Sequence, residues 1–474
     1  MSYMGKFTKT VLSMAILAAA GPVLAGTTGP EVTVANGTLQ GSVSDGVASF
    51  KGIPYAAPPI GNLRWHAPQP AASWSGVRLA TKYEPDCKQT PFPSDAAPLG
   101  VKTAENCLYA NVWRPAGDVH GKLPVMVWIY GGGFMNGGSS PPTYTGADLA
   151  KKGIVVVSFN YRVGRFGFFG FPQLEKEEAA SGEPRVNFGL MDQVAALKWI
   201  KHNVAAFGGN PNDITVVGQS AGGMSVNVLL TSPESRGLFE KAVIWSGSNG
   251  QMHLTPAQAD AAGIAFAKKM GINPDSPDAL KQLRALSANQ VDDGLNMMAL
   301  FKRGKGPATF TMPVVDGKVN VGPWSAYQSG NFAKVPVMIG ATNADMGGRD
   351  GFMIKGARDI ATTLTKQGVP VYYYRFDYVA SSMQGQGWYK QGAPHASDIP
   401  FWFDTEAIKY GKKTTIRDRE VGKLASNYLV NFVKTGNPNG KGLHEWPIYN
   451  ADKHSMLTFT AKGGVISGSD PWSK

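Results

Sequence analysis

The chain has few cysteines, few charged residues and no long hydrophobic run. Two of its 474 residues are cysteine, and charged residues make up 17% of it. A transmembrane helix needs about 20 apolar residues, and the most apolar stretch, residues 11–20, is shorter than that. No segment has the polarity of a disordered tail, and no internal repeat is visible. We therefore expect a globular protein with no integral membrane segment in its mature form.

The chain also lacks a basic block interleaved with aromatic residues. Its net charge is +12, but the lysines and arginines are scattered along the sequence. Nucleic-acid binding usually needs a clustered basic face, so no nucleic-acid partner is expected. A positive surface could favour an anionic substrate or an acidic cell envelope. The simplest interpretation is a solvated basic surface.

The first 25 residues have the order of features found in a signal peptide. Lys6 and Lys9 precede the apolar run, and residues 23–25 supply the small side chains that a signal peptidase recognises. A buried N-terminal helix would not account for this order. We predict cleavage after Ala25 and export to the periplasm or the extracellular space. Residue 26 is glycine rather than cysteine, so no lipid anchor is expected.

The two cysteines, Cys87 and Cys107, could pair in an oxidising compartment. The alternative is a pair of unrelated buried thiols. Their even number and the predicted export favour a disulfide. By closing the loop between the two residues, that disulfide should contribute about 3 kcal/mol to stability.

Short β-branched runs alternate with helical patterns along the chain. Residues 190–204, for example, carry apolar side chains at helical spacing between two such runs. Apolar runs that end at Gly, Asn or Ser predict buried strands. They lie at residues 125–130, 154–159, 214–217, 243–245, 335–339 and 371–376. The alternation predicts an α/β fold with a mostly parallel sheet covered by helices on both faces.

A helical segment interrupts this alternation. Residues 255–258 form a capping box with proline at the first helical position, which predicts a helix extending to Met270. A second helix is predicted over residues 276–286. We expect an inserted helical cap at about residues 251–330, within a single catalytic domain that spans residues 26–474.

The main chemical signal is the G-x-S-x-G string at residues 218–222. It follows the predicted strand 214–217 and precedes residues 224–230, which can form a helix. A nucleophile elbow requires this strand-turn-helix setting, whereas the string alone is common. The setting predicts Ser220 as the nucleophile, with the helix dipole directed at a developing oxyanion. The alternative is a glycine-rich structural turn with an idle serine.

A second glycine-rich turn, residues 131–134, directly follows the predicted strand 125–130. Glycines there let backbone N–H groups approach a substrate oxygen, so Gly132, Gly133 and Ala221 are the candidate oxyanion-hole donors. The turn lacks the Lys-Ser/Thr of a phosphate-binding loop and does not fit the dinucleotide-binding pattern. No cofactor is therefore expected.

Several longer motifs resemble the type-B carboxylesterase and cholinesterase family, and the match runs nearly end to end. The matching segments are residues 50–55 with 58–59, 105–109 with 111–112, 160–162, 187–190 with 192–193, 207–211, 435–439 and 446–447. The resemblance implies the α/β-hydrolase fold and a serine carboxylesterase that acts on a small-molecule ester. It also implies that Cys107 pairs with a cysteine upstream.

The resemblance assigns His395 as the general base. Residues 392–395, followed by 398–400, resemble the catalytic-histidine loop of the family. The order Ser, acid, His is the one that this fold demands, although a single histidine is more often structural than catalytic. The other six histidines show no metal-ligand spacing such as H-E-x-x-H, so no metal site is expected.

The acidic member of the triad is where the chain departs from the family. Relatives carry Asp-Glu-Gly shortly after the strand that here ends at Gly340. In this chain Asp345 falls at the glutamate position, and Met346 replaces the following glycine. Aspartate can orient a histidine, although it is one methylene shorter than glutamate. Asp345 is the expected acid and Asp350 is the alternative.

Other departures bear on the substrate. Gln219 stands where many relatives have glutamate, and the loop between the two cysteines contains no tryptophan. Both differences remove groups that would favour a quaternary ammonium, so choline esters are not expected. The short segment between Asp345 and His395 predicts a reduced lid or substrate wall. Ser246 matches a family serine near the triad, where a supporting role and a structural role are equally open.

The leading hypothesis is hydrolysis of a small-molecule carboxylic ester through an acyl-enzyme. An amidase or lactonase with the same triad is one alternative, and a non-catalytic binding homologue is another. The presence of both Ser220 and His395 argues against the binding homologue.

Overall fold

The fold consists of strands collected mainly into one sheet, and of helices that pack against it. A computed structural model describes residues 1–2, 29–92, 95–117, 122–182, 186–248, 254–301 and 306–473. The strands in these ranges are β1 Glu31–Val34, β2 Gly37–Gln40, β3 Ser42–Ser44, β4 Val47–Pro54, β5 Val77–Leu79, β6 Asp86–Cys87, β7 Thr103–Ala104, β8 Tyr109–Pro115, β9 Leu123–Ile129, β10 Val155–Phe159, β11 Gly209–Gln219, β12 Lys241–Trp245, β13 Val337–Thr342, β14 Val371–Phe376, β15 Ser455–Phe459 and β16 Val465–Ser469. The α-helices in them are α1 Ala147–Ala150, α2 Gly164–Gly167, α3 Pro172–Ser181, α4 Phe188–Asn203, α5 Ala221–Thr231, α6 Pro256–Lys269, α7 Ala279–Ala285, α8 Ala288–Asp292, α9 Pro323–Ser329, α10 Ile354–Lys366, α11 Ile399–Trp402, α12 Glu406–Tyr410 and α13 Ile416–Thr435.

Eleven of the described strands form one sheet, in the order β16-β15-β14-β13-β12-β11-β9-β10-β8-β4-β3. From β15 to β10 in this order the strands run parallel. Antiparallel pairs complete both edges. Strands β10, β12, β13 and β14 are buried along their whole length, and helices such as α4, α5, α10 and α13 pack against the sheet. The predicted α/β fold with a mostly parallel sheet is confirmed.

The strand that leads to the nucleophile is longer than predicted. The apolar run 214–217 is the centre of β11, which begins at Gly209. Gly209 pairs with Leu123 of β9, and the register then shifts before regular pairing resumes at Ile214. The residues in the shifted part are mostly polar, so hydrophobicity alone does not reveal them. Backbone pairing, rather than side-chain burial, extends this strand.

The helices after β12 match the predictions unequally. Helix α6 has the predicted capping box, formed by Thr255 and Gln258. The prediction for the next helix is wrong at its start, because α7 begins at Ala279 rather than at Ser276. The N–H of Ala279 donates to the carbonyl of Ser276 at 3.0 Å, so residues 276–278 form a turn ahead of the helix. In the described part of the chain, no helix combines the length and apolarity needed to span a membrane.

Helices α6 to α9 all lie between β12 and β13, where an inserted cap was expected. Residues 251–253 and 302–305 of that segment lie outside the described residues. The limits of the cap at about 251–330, and the single domain 26–474, stay predictions. The predicted signal peptide, residues 1–25, also lies outside the described residues apart from residues 1–2.

The disulfide between Cys87 and Cys107 is formed, and both residues are buried. It joins β6 to the segment that enters β8, across a sequence separation of 20. Asp86, next to the first cysteine, accepts a hydrogen bond from the Ser139 N–H at 3.1 Å and one from the Ser140 hydroxyl. The disulfide therefore holds its loop beside the residues that follow the glycine-rich turn at 131–134.

Replacing both cysteines by alanine should lower the free energy of unfolding by about 3 kcal/mol, because the unfolded chain regains the freedom of an open loop. Urea unfolding of the double variant and of the wild-type protein under oxidising conditions measures this difference. Wild-type protein unfolded in the presence of a thiol reductant is the control and should resemble the variant. Equal unfolding midpoints for variant and oxidised wild type would contradict the prediction.

Candidate active site

Ser220 occupies the turn between β11 and α5 in a backbone conformation that few residues adopt. Its φ is +57° and its ψ is −126°. A positive φ in a non-glycine residue costs about 1–3 kcal/mol and persists only where the surroundings enforce it. Here the Ser220 N–H donates to the carbonyl of Trp245 at 2.9 Å, and the Ser220 carbonyl accepts from the Met224 N–H at 2.8 Å. The predicted strand-turn-helix geometry is present.

The glycines on either side of Ser220 make this turn sterically possible. A Cβ on Gly218 would lie 2.3 Å from the carbonyl oxygen of Gly222. A Cβ on Gly222 would lie 2.0 Å from the carbonyl oxygen of Ile129, at the end of β9. Both distances are far below van der Waals contact. Any side chain at either position would therefore displace Ser220 from its place above the sheet.

The second glycine-rich turn faces the serine. A Cβ on Gly131 would lie 2.8 Å from the Cβ of Ser220, and the turn continues through Gly132 and Gly133, whose φ values are +99° and +63°. Among the described residues, the N–H groups of Gly132, Gly133 and Ala221 donate no hydrogen bond that the structure records. Ala221 is also the first residue of α5, where the helix dipole favours negative charge. Two of the predicted donors thus belong to the turn that faces the serine, and the third begins the helix that follows it.

His395 is held by a short hydrogen bond to an aspartate. Its Nδ1 lies 2.6 Å from Oδ1 of Asp345. The carboxylate itself is fixed by its own turn, since it accepts from the Thr342 hydroxyl at 2.9 Å and from the Met346 N–H at 2.8 Å. Asp345 is 4% exposed. It lies just after β13, whereas His395 lies in the loop after β14, so adjacent parallel strands bring the two side chains together.

Asp350, the alternative acid, lies elsewhere. Its side chain is 76% exposed and is paired with Arg349 at 3.5 Å. The structure therefore brings Asp345, and not Asp350, beside the histidine. The replacement of glycine by Met346 does not disturb this arrangement, because the backbone N–H of Met346 contributes to it.

Asp345 and His395 shift each other's pKa. Burial alone would raise the pKa of the Asp345 carboxyl, but the facing His395 holds that pKa below its ordinary value. Burial also opposes charge on His395, yet attraction to Asp345, with a further contribution from Asp398, raises the pKa of the imidazole above its ordinary value. The pair is thus arranged to stabilise an imidazolium ion, which is what a general base must become.

Two polar residues near His395 were not predicted to have a role there. Asp398 is fully buried, and burial raises the pKa of its carboxyl to about 6. It accepts from the Trp402 indole N–H at 3.1 Å and from the Tyr374 hydroxyl at 3.4 Å. Gln219 lies on the other side of the base, with its Nε2 3.3 Å from Nε2 of His395. Asp398 lies within the histidine-loop motif and Gln219 within the serine motif, so motif position was the available signal for both.

An apolar wall from the segment after β12 covers the glycine-rich turn at residues 131–134. A Cβ on Gly133 would lie 2.7 Å from Leu300 and 3.3 Å from Met297, which belong to a short 3-10 helix. The N–H of Met297 donates to the side-chain oxygen of Asn136 at 2.8 Å. The amide nitrogen of Asn136 in turn donates to the carbonyl of Thr90 at 2.7 Å. The sequence predicts a helical cap at about residues 251–330 but no individual residue of this wall, because a single 3-10 turn has no hydrophobic periodicity.

The described residues contain no group of three or more His, Cys, Asp or Glu side chains that could hold a metal ion. The polar groups near Ser220 are instead Gln219, which contacts His395 of the hydrogen-bonded His395–Asp345 pair, and the backbone of the facing glycine-rich turn. This arrangement suits transfer of an acyl group through a serine nucleophile.

Residues 28–349 and 348–468 match the carboxylesterase family. The chain belongs to that family. It is 32% identical to the para-nitrobenzyl esterase of Bacillus subtilis (strain 168), over 94% of this chain and 97% of that one. It is 37% identical to the fumonisin B1 esterase of Sphingopyxis macrogoltabida, over 73% of this chain but only 62% of that longer protein. A solved structure of PNB esterase superposes with a TM-score of 0.82 at 29% identity, covering 94% of this chain and 98% of the other. This carboxylesterase therefore has the α/β-hydrolase fold and is a carboxylic ester hydrolase.

Asp345→Asn should lower kcat by up to about 10⁴-fold, because an amide favours the wrong imidazole tautomer and cannot stabilise the imidazolium ion. Removing the charge should also lower the pKa of His395, so the acidic limb of kcat/KM should move to lower pH. Both effects are measured on a short-chain aryl ester across a range of pH.

Asp350→Asn is the matched control and should leave kcat nearly unchanged, while Asp345→Glu should retain far more activity than Asp345→Asn. A crippled Asp350→Asn enzyme beside a near-normal Asp345→Asn enzyme would show that the acid is misassigned. If neither change mattered, the enzyme would work without either carboxylate.

Proposed function

We propose that this carboxylesterase hydrolyses small-molecule esters through a covalent acyl-enzyme on Ser220. His395 is the general base and acid, and Asp345 orients it. Gly132, Gly133 and Ala221 donate to the oxyanion. The observation that carries the proposal is the positive-φ turn at Ser220, which faces the glycine turn and is joined to the His395–Asp345 pair by the contact between Gln219 and His395.

In the acylation half-reaction the Ser220 Oγ attacks the ester carbonyl carbon while its proton moves to Nε2 of His395. The carbonyl oxygen becomes negative and is stabilised by the backbone N–H donors. For scale, removing one side-chain donor from the oxyanion hole of a comparable enzyme lowers kcat by about 10²–10³-fold. The proton on Nε2 then passes to the alcohol oxygen as the C–O bond breaks. Asp345 stays ionised throughout, because its pKa lies below the ordinary value.

In the deacylation half-reaction a water molecule replaces the alcohol. His395 takes a proton from the water as its oxygen attacks the acyl carbon, and the same oxyanion donors stabilise the second tetrahedral intermediate. The proton returns to Ser220 Oγ when the acid leaves. The base must be neutral at the start of each half-reaction, so activity should fall as the pH drops through the raised pKa of His395.

The surroundings of the serine favour an uncharged substrate group. Gln219 is a neutral amide, and Met297 with Leu300 places apolar surface against the glycine-rich turn at residues 131–134. An ammonium group would find no carboxylate at the position before the nucleophile. We therefore infer that neutral esters with an apolar acyl or alcohol part are better substrates than choline esters.

An amidase or lactonase would use the same groups, and a non-catalytic binding homologue would need none of them. The hydrogen bond between His395 and the buried Asp345 supports catalysis over binding alone. The purified enzyme is tested with a panel of short and long acyl esters, lactones and amide analogues. The kcat/KM values distinguish an esterase from a lactonase and from an amidase.

We also propose that the protein is exported. The signal-peptide features of residues 1–25 support secretion to the periplasm or the extracellular space. The Cys87–Cys107 disulfide supports it too, since disulfides persist in oxidising compartments.

Ser220→Ala should reduce ester hydrolysis by about 10⁶-fold, by analogy with serine hydrolases that lose their nucleophile. A serine-directed phosphonate should label Ser220 in the wild-type enzyme, as peptide mass spectrometry would show. Ser225→Ala is a control, because this buried serine donates to the Ala221 carbonyl but does not face the glycine turn. A Ser220→Ala enzyme with a tenth of wild-type activity would refute the assignment.

The exported protein should begin at Gly26 and contain one disulfide. Intact-mass analysis with and without a reductant reads both properties from the same sample. A mature mass that includes residues 1–25, or two thiols that react with an alkylating agent before reduction, would count against export by this route.

A further inference from the structure

The side-chain amide of Gln219 is the second polar group in contact with the proposed base. Its Nε2 lies 3.3 Å from Nε2 of His395, while Nδ1 of the same ring lies 2.6 Å from Asp345. Gln219 is 3% exposed and immediately precedes Ser220. The mechanism proposed above gives this amide no role.

The hydrogen bond to Asp345 fixes the direction of the contact with Gln219. An ionised carboxylate can only accept, so Nδ1 of the neutral ring carries the proton and Nε2 is an acceptor. The NH2 group of Gln219 therefore donates to Nε2. The lone pair that receives this donation is the one that must take the proton of Ser220. The amide and the serine hydroxyl compete for a single acceptor in the resting site.

Proton transfer reverses what Nε2 requires. Once the Ser220 proton is on Nε2, both ring nitrogens of His395 are donors, and an NH2 group facing Nε2 becomes unfavourable. An amide carries a donor and an acceptor on one planar group, so half a turn of that group exchanges them with little change of shape. The Oε1 of Gln219 lies against Gly131, where a Cβ would be only 3.0 Å away. The missing side chain at Gly131 leaves room for the exchange.

We propose that Gln219 is a positioning residue that serves both protonation states of His395. Its NH2 group donates to the neutral Nε2 in the resting site, and its Oε1 accepts from the Nε2–H after Ser220 has given up its proton. This inference rests on the proposed roles of Ser220 and His395. Glutamate, which many relatives carry at this position, could only accept and would pair with the protonated ring alone.

Acidic groups face the ring from the other elements around it. Asp345, after β13, is bonded to Nδ1, and Asp398, at the start of α11, acts through space. The Tyr374 hydroxyl from β14 donates to Asp398 at 3.4 Å. Both carboxylates favour the imidazolium ion, whereas burial opposes it. Among these described neighbours, Gln219 is the one that can stabilise either form.

Gln219→Glu and Gln219→Met test the proposal in the full-length enzyme. Both are close to glutamine in shape, but the first can only accept and the second can do neither. Gln258→Glu is the control, because it makes the same chemical change in an exposed capping box that also suits glutamate. For each protein the pKa of His395 is measured by ¹⁵N NMR of labelled histidine and from kcat/KM on a neutral aryl ester.

In Gln219→Glu the pKa of His395 should rise by about one to three units, because a second carboxylate lies within hydrogen-bonding distance. The acidic limb of kcat/KM should move to higher pH by the same amount. In Gln219→Met the Nε2 signal should change at both ends of the titration, since each protonation state loses a partner. Gln258→Glu should match the wild type in every measurement.

A purely structural glutamine would change stability or kcat in Gln219→Met without changing the Nε2 signal at either end of the titration. An unshifted pKa in a folded Gln219→Glu enzyme would overturn the proposal, and so would an unchanged Nε2 signal in Gln219→Met. The Met variant keeps the test decisive if the buried glutamate prevents folding. If the wild-type enzyme showed no titration of His395 in kcat/KM and no labelling of Ser220, the proposed mechanism itself would fail.

Discussion

The strained turn at Ser220 determines where the other groups of the site must lie. Its positive φ is maintained by hydrogen bonds to Trp245 and from Met224, and by glycines that let strand, turn and helix approach more closely than side chains would allow. Because residues 214–219 of β11 and the whole of α5 are buried, the turn cannot relax without disturbing the core. The proposed oxyanion donors and Gln219 are adjacent to it in the chain or in space, so their positions follow from the same constraint.

The parallel sheet brings Asp345 and His395 together, and the hydrogen bond between them then holds the imidazole. Asp345 and His395 follow neighbouring strands, and the carboxylate is held by groups of its own turn before the histidine contributes anything. That preorganisation matters, because an aspartate is shorter than the glutamate found in relatives. Here the local hydrogen bonds direct the shorter side chain onto Nδ1. The raised pKa of His395 therefore depends on the two neighbouring strands that place Asp345 beside it.

The sequence predicted those parts of the molecule that depend on local pattern. Alternating apolar runs gave the strands, and the string around Ser220 gave the elbow, because both are encoded by neighbouring residues. The ends of β11 and α7 were not predictable, since a register shift and a turn at Ser276 decide them. The choice of Asp345 over Asp350 rested on counting from a family motif, and their different burial became visible only in the folded chain. The contact between Gln219 and His395 joins residues 176 positions apart, so the place of each residue in its motif was the available signal and the contact itself was not predictable.

Asn136 links the segment after β12 to the glycine-rich turn at residues 131–134, so neither can be replaced without affecting the other. Its side-chain oxygen accepts from Met297 of that segment, while its amide nitrogen donates to Thr90 in the disulfide-bonded loop. Gly133, three residues earlier, packs directly against Leu300. Exchanging this segment for that of a relative would therefore also change the contacts that hold the backbone at Gly133 and the side chain of Asn136. Transplants would need to carry the loop around Thr90 and the residue at position 136 together with the new wall.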